Sequence, residues 1–228
     1  VINNLNMGGI QKSLIELLQC IHKDYDITLY SIVNEGELRA QIPQSVKVVF
    51  GDRFISLSEK SLKQSRNSGI FAALLRGMLV LTGRFFGKAA AVNMLFLFVK
   101  KLKGSYDAAI SFSQPTADDS LCVLTNEFVD RACSAKKKIT FLHCDFEYYN
   151  TSYNRGIYKK FDAVAAVSQS VGTQFERYVP EMAGRIFTVR NCHNYDNIIE
   201  SALQDTVQYD VRPAIVTVAR LSKEKGLL

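Results

Sequence analysis

Val1-Ile2-Asn3-Asn4-Leu5-Asn6-Met7-Gly8-Gly9-Ile10-Gln11-Lys12-Ser13-Leu14 reads as a short apolar strand, a glycine turn and the opening of a helix. Ile10, Leu14, Leu17, Leu18 and Ile21 recur at spacings of three and four, which puts them on one helical face. A helix start of this kind offers unpaired N–H groups and the positive end of its dipole. Gly8 and Gly9, lacking Cβ atoms, let a phosphate or a ligand backbone come close to that helix end. The same residues also make an ordinary tight turn between a strand and a helix, and a two-glycine motif by itself does not separate the two readings.

The rest of the chain repeats the pattern. Residues 25–33 (YDITLYSIV), 46–50, 107–112 (DAAISF), 137–142 (KKITFL), 162–167 (DAVAAV) and 185–189 are short β-rich runs bounded by polar or turn residues. With Val1-Ile2 they make seven strand candidates before residue 190. Short apolar runs separated by helix-length segments predict parallel strands buried on both faces, a Rossmann-like doubly wound α/β sheet. Ser168 stands directly after one such run and is a natural N-cap for the helix beginning Gln169-Ser170-Val171. Residues 197–203 read as a connecting helix and 204–213, with Pro213, as a linker. A fresh strand, 214–219, follows. The expected organisation is a domain over 1–203, the linker 204–213 and the start of a second domain over 214–228, with further sequence expected beyond both ends.

Composition sets outer limits. Of 228 residues, 47% are hydrophobic and 22% charged, enough apolar material for a sizeable core. The net charge of +6 favours anionic partners. Cys20, Cys122, Cys133, Cys144 and Cys192 are odd in number and contain no CxxC pair, so a reducing, cytoplasmic setting is expected rather than a disulfide framework. Lys12, Glu16 and the glycine turn interrupt the N-terminal region before a signal-peptide core could form.

One segment departs from this background. Between Glu59 and Asp107 there is no acid, while Lys60, Lys63, Arg66, Arg76, Arg84, Lys88, Lys100, Lys101 and Lys103 are all basic. They bracket the apolar stretches 70–81 and 89–99, each too short to span a bilayer. Such a segment, 60–103, suits the headgroup layer of an anionic membrane; two core helices with solvated basic ends are the alternative.

Several side chains could carry chemistry. His143 ends one predicted strand and Asn191-Cys192-His193-Asn194 ends another, so both turns belong to the sheet edge that carries Gly8-Gly9, where open parallel sheets bind ligands. From there His143 could donate a hydrogen bond to a sugar or phosphate oxygen, or to a developing anion; a bare structural bond to a nearby carbonyl is the alternative. Cys144, His143, Cys192 and His193 are of zinc-binding type but lack the usual spacing, and a Cys–His nucleophile pair has no supporting signature. Asp118-Asp119 reads as a helix start. Tyr148, Tyr149 and Tyr153 form an aromatic loop suited to stacking or to packing. In the last stretch, Ile215-Val216-Thr217-Val218-Ala219-Arg220-Leu221-Ser222-Lys223-Glu224-Lys225-Gly226, Arg220 and Lys225 follow a strand and could clamp a diphosphate or stay solvated at the surface.

The strand running into Ala219-Arg220-Leu221 and Lys225-Gly226 resembles the start of the second domain of glycosyltransferase family 4, enzymes of the two-domain GT-B fold. Gly8-Gly9 before a helix, His143 after a strand, DAVAAVSQS from Asp162, and Val189-Arg190-Asn191 follow the family's order at about its spacing. The resemblance covers essentially the whole chain. It implies a retaining transferase that moves a sugar from a nucleotide-diphosphate-sugar to a saccharide or lipid-linked acceptor, in surface polysaccharide or glycolipid synthesis at the cytoplasmic face of a membrane. By the same resemblance Arg220 and Lys225 match the diphosphate-binding pair, His143 a residue near the donor sugar, and Gly8 and Gly9 a wall of the cleft. No metal or other cofactor and no nucleic-acid partner are expected. Asn191-Cys192-His193-Asn194 departs from the family's usual Asn-Gly-Val-Asp turn, so Cys192 and His193 inherit no role. The family's acidic donor-binding motif would lie beyond Leu228, and these residues by themselves are therefore expected to transfer little sugar. A GT-B nucleotide-sugar epimerase and a non-catalytic membrane-surface protein are the alternatives. A dinucleotide oxidoreductase fits less well, because the first turn lacks GxGxxG.

Overall fold

The glycine turn leads, as its pattern predicts, into helix α1 (Gly9–Ile21), which buries Leu14, Ile15 and Leu18. The computed structural model describes residues 1–115, 121–204 and 217. The chain divides into two units, Val1–His193 and Asn194–Leu228. Within the described residues of the second, helix α7 (Tyr195–Gln204) covers the predicted connecting helix and exposes Tyr195, Ile198, Ile199 and Leu203. Everything below concerns the first unit.

Strands β1 (Thr28–Ser31) and β2 (Lys47–Phe50) pair in parallel as one sheet. Strands β3 (Tyr106–Ser111), β4 (Ala135–Leu142), β5 (Ala163–Ala166) and β6 (Ile186–Thr188) form a second parallel sheet in that order. The mixed α/β architecture is therefore Rossmann-like, as the spacing of apolar runs predicts. The first predicted strand, Val1-Ile2, joins the sheets. Ile2 N–H donates to the Tyr30 carbonyl at 2.9 Å and Ile32 N–H donates to the Ile2 carbonyl at 2.9 Å. On the other side Phe112 N–H donates to the Val1 carbonyl at 2.9 Å. The resulting sequence across the unit is β2, β1, Val1-Ile2, β3, β4, β5, β6. Chain direction along the sheet reverses at Val1-Ile2, and a ligand crevice is expected outside the carboxyl ends of the strands at that place.

Helix α4 (Thr125–Ala132), which the sequence reading did not resolve, seats Phe128 against Tyr30 with ring centroids 4.1 Å apart. Helix α5 (Ser152–Tyr158) and helix α6 (Gln169–Tyr178) enclose a cluster in which Phe146 meets Tyr158 and Phe175 edge-on. Ser168 caps α6 as expected, its hydroxyl accepting from Val171 N–H at 3.2 Å.

The basic, acid-free segment forms helix α2 (Leu62–Asn67) and helix α3 (Ile70–Phe96). By length and composition α3 would suffice to cross a membrane. It is not one straight rod. Gly87, at φ 83° and ψ 166°, breaks it into arms 70–86 and 88–96. Thr82 Oγ1 lies 3.9 Å from Met94 Sδ, whereas twelve residues along a straight helix would separate them by about 18 Å. The arms therefore fold back as a helical hairpin. Two of the nine basic residues turn inward. Arg76 donates from Nε to the Lys60 carbonyl at 2.9 Å, and Lys88, 4% exposed, lies over the Tyr153 ring at 5.2 Å. Lys88 also partly offsets the burial that raises the carboxyl pKa of fully buried Glu127.

A cleft at the carboxyl edge of the sheet

Helix α1 begins at the edge where the strands end. Gly8 is its N-cap in extended backbone, no side chain caps it, and its first turn carries no acid. An extended conformation does not require glycine at position 8. At Gly9 a Cβ would meet nothing within 4 Å, so packing does not require glycine there either. Gly9 leaves open space above the helix N-terminus, where partial positive charge and N–H groups attract an anion, whereas a Cβ at Gly8 would meet Gln11 Oε1 at 2.5 Å.

That space is an open cleft of about 410 Å³ whose lining includes Gly9, Lys12, Ser13, Glu16, His143, Asn191 and His193. The fold thus brings together the glycine turn and both His-containing turns, which are distant in sequence. Ser13 Oγ donates to Asn191 Oδ1 at 2.8 Å and fastens the segment after β6 to α1. Lys12 adds a cation beside the helix N-terminus. Lys12, Ser13 and Glu16 went unselected in the sequence, although their spacing after Gly9 on a helix places them on one side; Asn191 and His193 were noticed as a strand-end turn without a role.

His143 follows β4 and is held at three points. Its N–H donates to Gln114 Oε1 at 2.9 Å, and its ring Nε2 lies 2.6 Å from the Phe112 carbonyl oxygen. Its ring stacks on Phe141 at 5.6 Å. Burial holds the imidazole pKa below its ordinary 6.5, opposed in part by the bond to Phe112. A carbonyl only accepts, so Nε2 carries the proton, and a neutral ring leaves Nδ1 as an acceptor. The ring N–H of His143 is thus committed to the Phe112 carbonyl, the structural bond that the sequence reading held as the alternative to a donor, and its remaining nitrogen is a hydrogen-bond acceptor.

Other candidates are placed elsewhere or do other work. Cys144 donates from Sγ to Gln114 Oε1 at 3.5 Å, and burial pushes its thiol pKa up. The thiol form is thereby favoured over the thiolate, the opposite of what activates a nucleophilic cysteine. Among the described residues no three His, Cys, Asp or Glu side chains come together to hold a metal ion. Tyr153 packs with Lys88, while Tyr148 is exposed. Asp162, accepting from Lys138 N–H at 2.8 Å, anchors the opposite end of β5. Asp118, Asp119, Arg220, Lys225 and the strand 214–219 lie outside the described residues, apart from Thr217.

The loop ends nearest Val1-Ile2 are polar, and two carboxylates reach them: Met7 N–H donates to Glu37 Oε1 at 3.2 Å, and the Asn3 side chain bonds Glu59. Ser113 Oγ donates to Asn3 Oδ1 at 3.0 Å and Gln11 Nε2 to Asn4 Oδ1 at 3.0 Å. Anion-attracting groups at the start of α1 therefore sit beside amides and hydroxyls suited to hydroxyl-rich ligands. Comparison of the chain with protein-family models and with curated protein sequences finds no match.

Proposed function

We propose that the chain is the acceptor-side part of a retaining glycosyltransferase. It would act on a nucleotide-diphosphate-sugar and a saccharide or lipid-linked acceptor at the cytoplasmic face of a membrane. The observation that carries this reading is the cleft: an uncapped helix N-terminus with a bare glycine floor, a lysine beside it and a neutral histidine acceptor across from it. The first two features suit a phosphate; the third suits a sugar hydroxyl. A preorganised set of dipoles of this kind stabilises negative charge as it develops on a departing diphosphate. In this reading Gly8 and Gly9 admit the ligand, Lys12 neutralises part of its charge, and His143 orients a hydroxyl through Nδ1. Arg220 and Lys225 supply the remaining cations, by resemblance to the family, and no metal is required.

Gly9→Val tests the reading because its Cβ would meet nothing in the protein. Titration with nucleoside diphosphates and their sugar conjugates should give saturable binding. The substitution should weaken that binding by about tenfold or more, the equivalent of about 1.4 kcal/mol, while the melting temperature stays unchanged. Equal binding by wild type and Gly9→Val would remove the cleft from the site. In the full-length enzyme Arg220→Ala should depress donor use, and unchanged donor kinetics would remove Arg220.

A further inference from the structure

The first arm of the hairpin is built inside out. Phe71, Leu74, Met78, Leu81 and Phe85 follow one another at alternating spacings of three and four, so they form a single stripe along the arm. They are 57%, 61%, 55%, 56% and 72% exposed. Leu75 and Leu79, on another side of the same arm, are buried in the core. The stripe is therefore additional to the core-facing surface. At the turn Phe86 adds a further exposed ring next to Arg84. Large contiguous apolar surfaces of this kind mark interaction sites.

The surrounding charge identifies the partner. Lys63, Arg66, Arg84, Lys100, Lys101 and Lys103 are all exposed, and none takes part in the ion pairs formed among the described residues. No acid occurs anywhere from residue 60 to residue 106. An apolar stripe accompanied by exposed cations, one of which, Lys100, donates its backbone N–H to the Asp52 carboxylate at 2.8 Å, matches a bilayer surface, acyl chains under anionic headgroups. The break at Gly87 fixes the mode. The first arm is about 25 Å long at 1.5 Å per residue, short of the ~30 Å of a hydrocarbon core, and the chain then doubles back.

We propose that the α3 hairpin docks the protein onto anionic membrane, lying in the headgroup layer with the Phe71–Leu74–Met78–Leu81–Phe85 stripe in the lipid. The docking is independent of sugar transfer and of the cleft at α1.

The sequence contains no Trp, so Phe85→Trp places a single reporter at the stripe. Addition of phosphatidylcholine–phosphatidylglycerol vesicles to the full chain should shift its emission to the blue, and brominated acyl chains should quench it. Vesicles of phosphatidylcholine alone should leave it nearly unchanged. In co-sedimentation, Leu74→Ser/Phe85→Ser and, separately, Lys100→Glu/Lys101→Glu should each weaken binding to the anionic vesicles by about tenfold. All of these side chains are exposed, so circular dichroism and melting should match wild type. Absence of binding to anionic vesicles overturns the proposal. Sedimentation without a blue shift overturns the stripe as the contact. Concentration-dependent self-association without vesicles, abolished by Leu74→Ser/Phe85→Ser, would assign the stripe to a second copy of the chain instead.

Discussion

His143 carries its proton on Nε2 because the Phe112 carbonyl is 2.6 Å away, and it stays neutral because burial opposes the imidazolium. Its place after a strand is readable from FLHCD in the sequence. Its protonation is not, since the deciding partner lies thirty-one residues upstream on a neighbouring strand. Stability should depend on pH through this ring. With the folded pKa below 6.5, the unfolded chain takes up the proton first on acidification. The contribution of neutral His143 is thus fully present above about 6.5 and is lost as pH falls from there through the folded value. Thermal melts of wild type and His143→Gln between neutral and mildly acidic pH should show wild type losing stability faster toward acid. Parallel curves would mean that His143 titrates normally and that its proton is not held as described.

At the level of elements, periodicity was informative for α1 but not for the amphipathic α4, which it left unresolved. It gave α1 and α6 with their starting residues, and all six described strands to within a few residues. It separated the apolar stretches 70–81 and 89–99, close to the two arms, but not the reversal between them, which lies in the backbone at Gly87. Gly83 and Gly87 look interchangeable in the sequence, yet their substitutions should have opposite effects. At φ 83° and ψ 166°, Gly87 occupies a region that is essentially closed to other residues, so Gly87→Ala should cost about 1–3 kcal/mol. Gly83 is inside a helical arm, and an added Cβ would meet the Ala91 Cβ at 3.7 Å, an ordinary contact. Gly83→Ala should therefore stabilise by up to about 1 kcal/mol through helix propensity alone. Chemical denaturation of the two variants decides it: a Gly87→Ala protein as stable as wild type would mean that the arms tolerate being one straight helix.

For the molecule as a whole, Val1-Ile2 is the reversal point that creates the crevice, read as a strand because a glycine turn and a helix follow. Ile2 is fully buried, and its backbone is bonded to the β1 side while the Val1 carbonyl is bonded to Phe112 after β3. One position therefore supports both sheets, together with the loop ends around Asn3, Asn4 and Ser113. Ile2→Ala removes buried methylene groups at this junction and should destabilise by about 2–5 kcal/mol. The location of the damage is more diagnostic than its size. Native-state hydrogen exchange should show the Ile32 and Phe112 amides losing protection together, because both donate to the Val1-Ile2 backbone from opposite sides. Loss of protection at Ile32 alone, with Phe112 unchanged, would mean that the two sheets open independently and that the crevice between them is held by side chains, not by this strand.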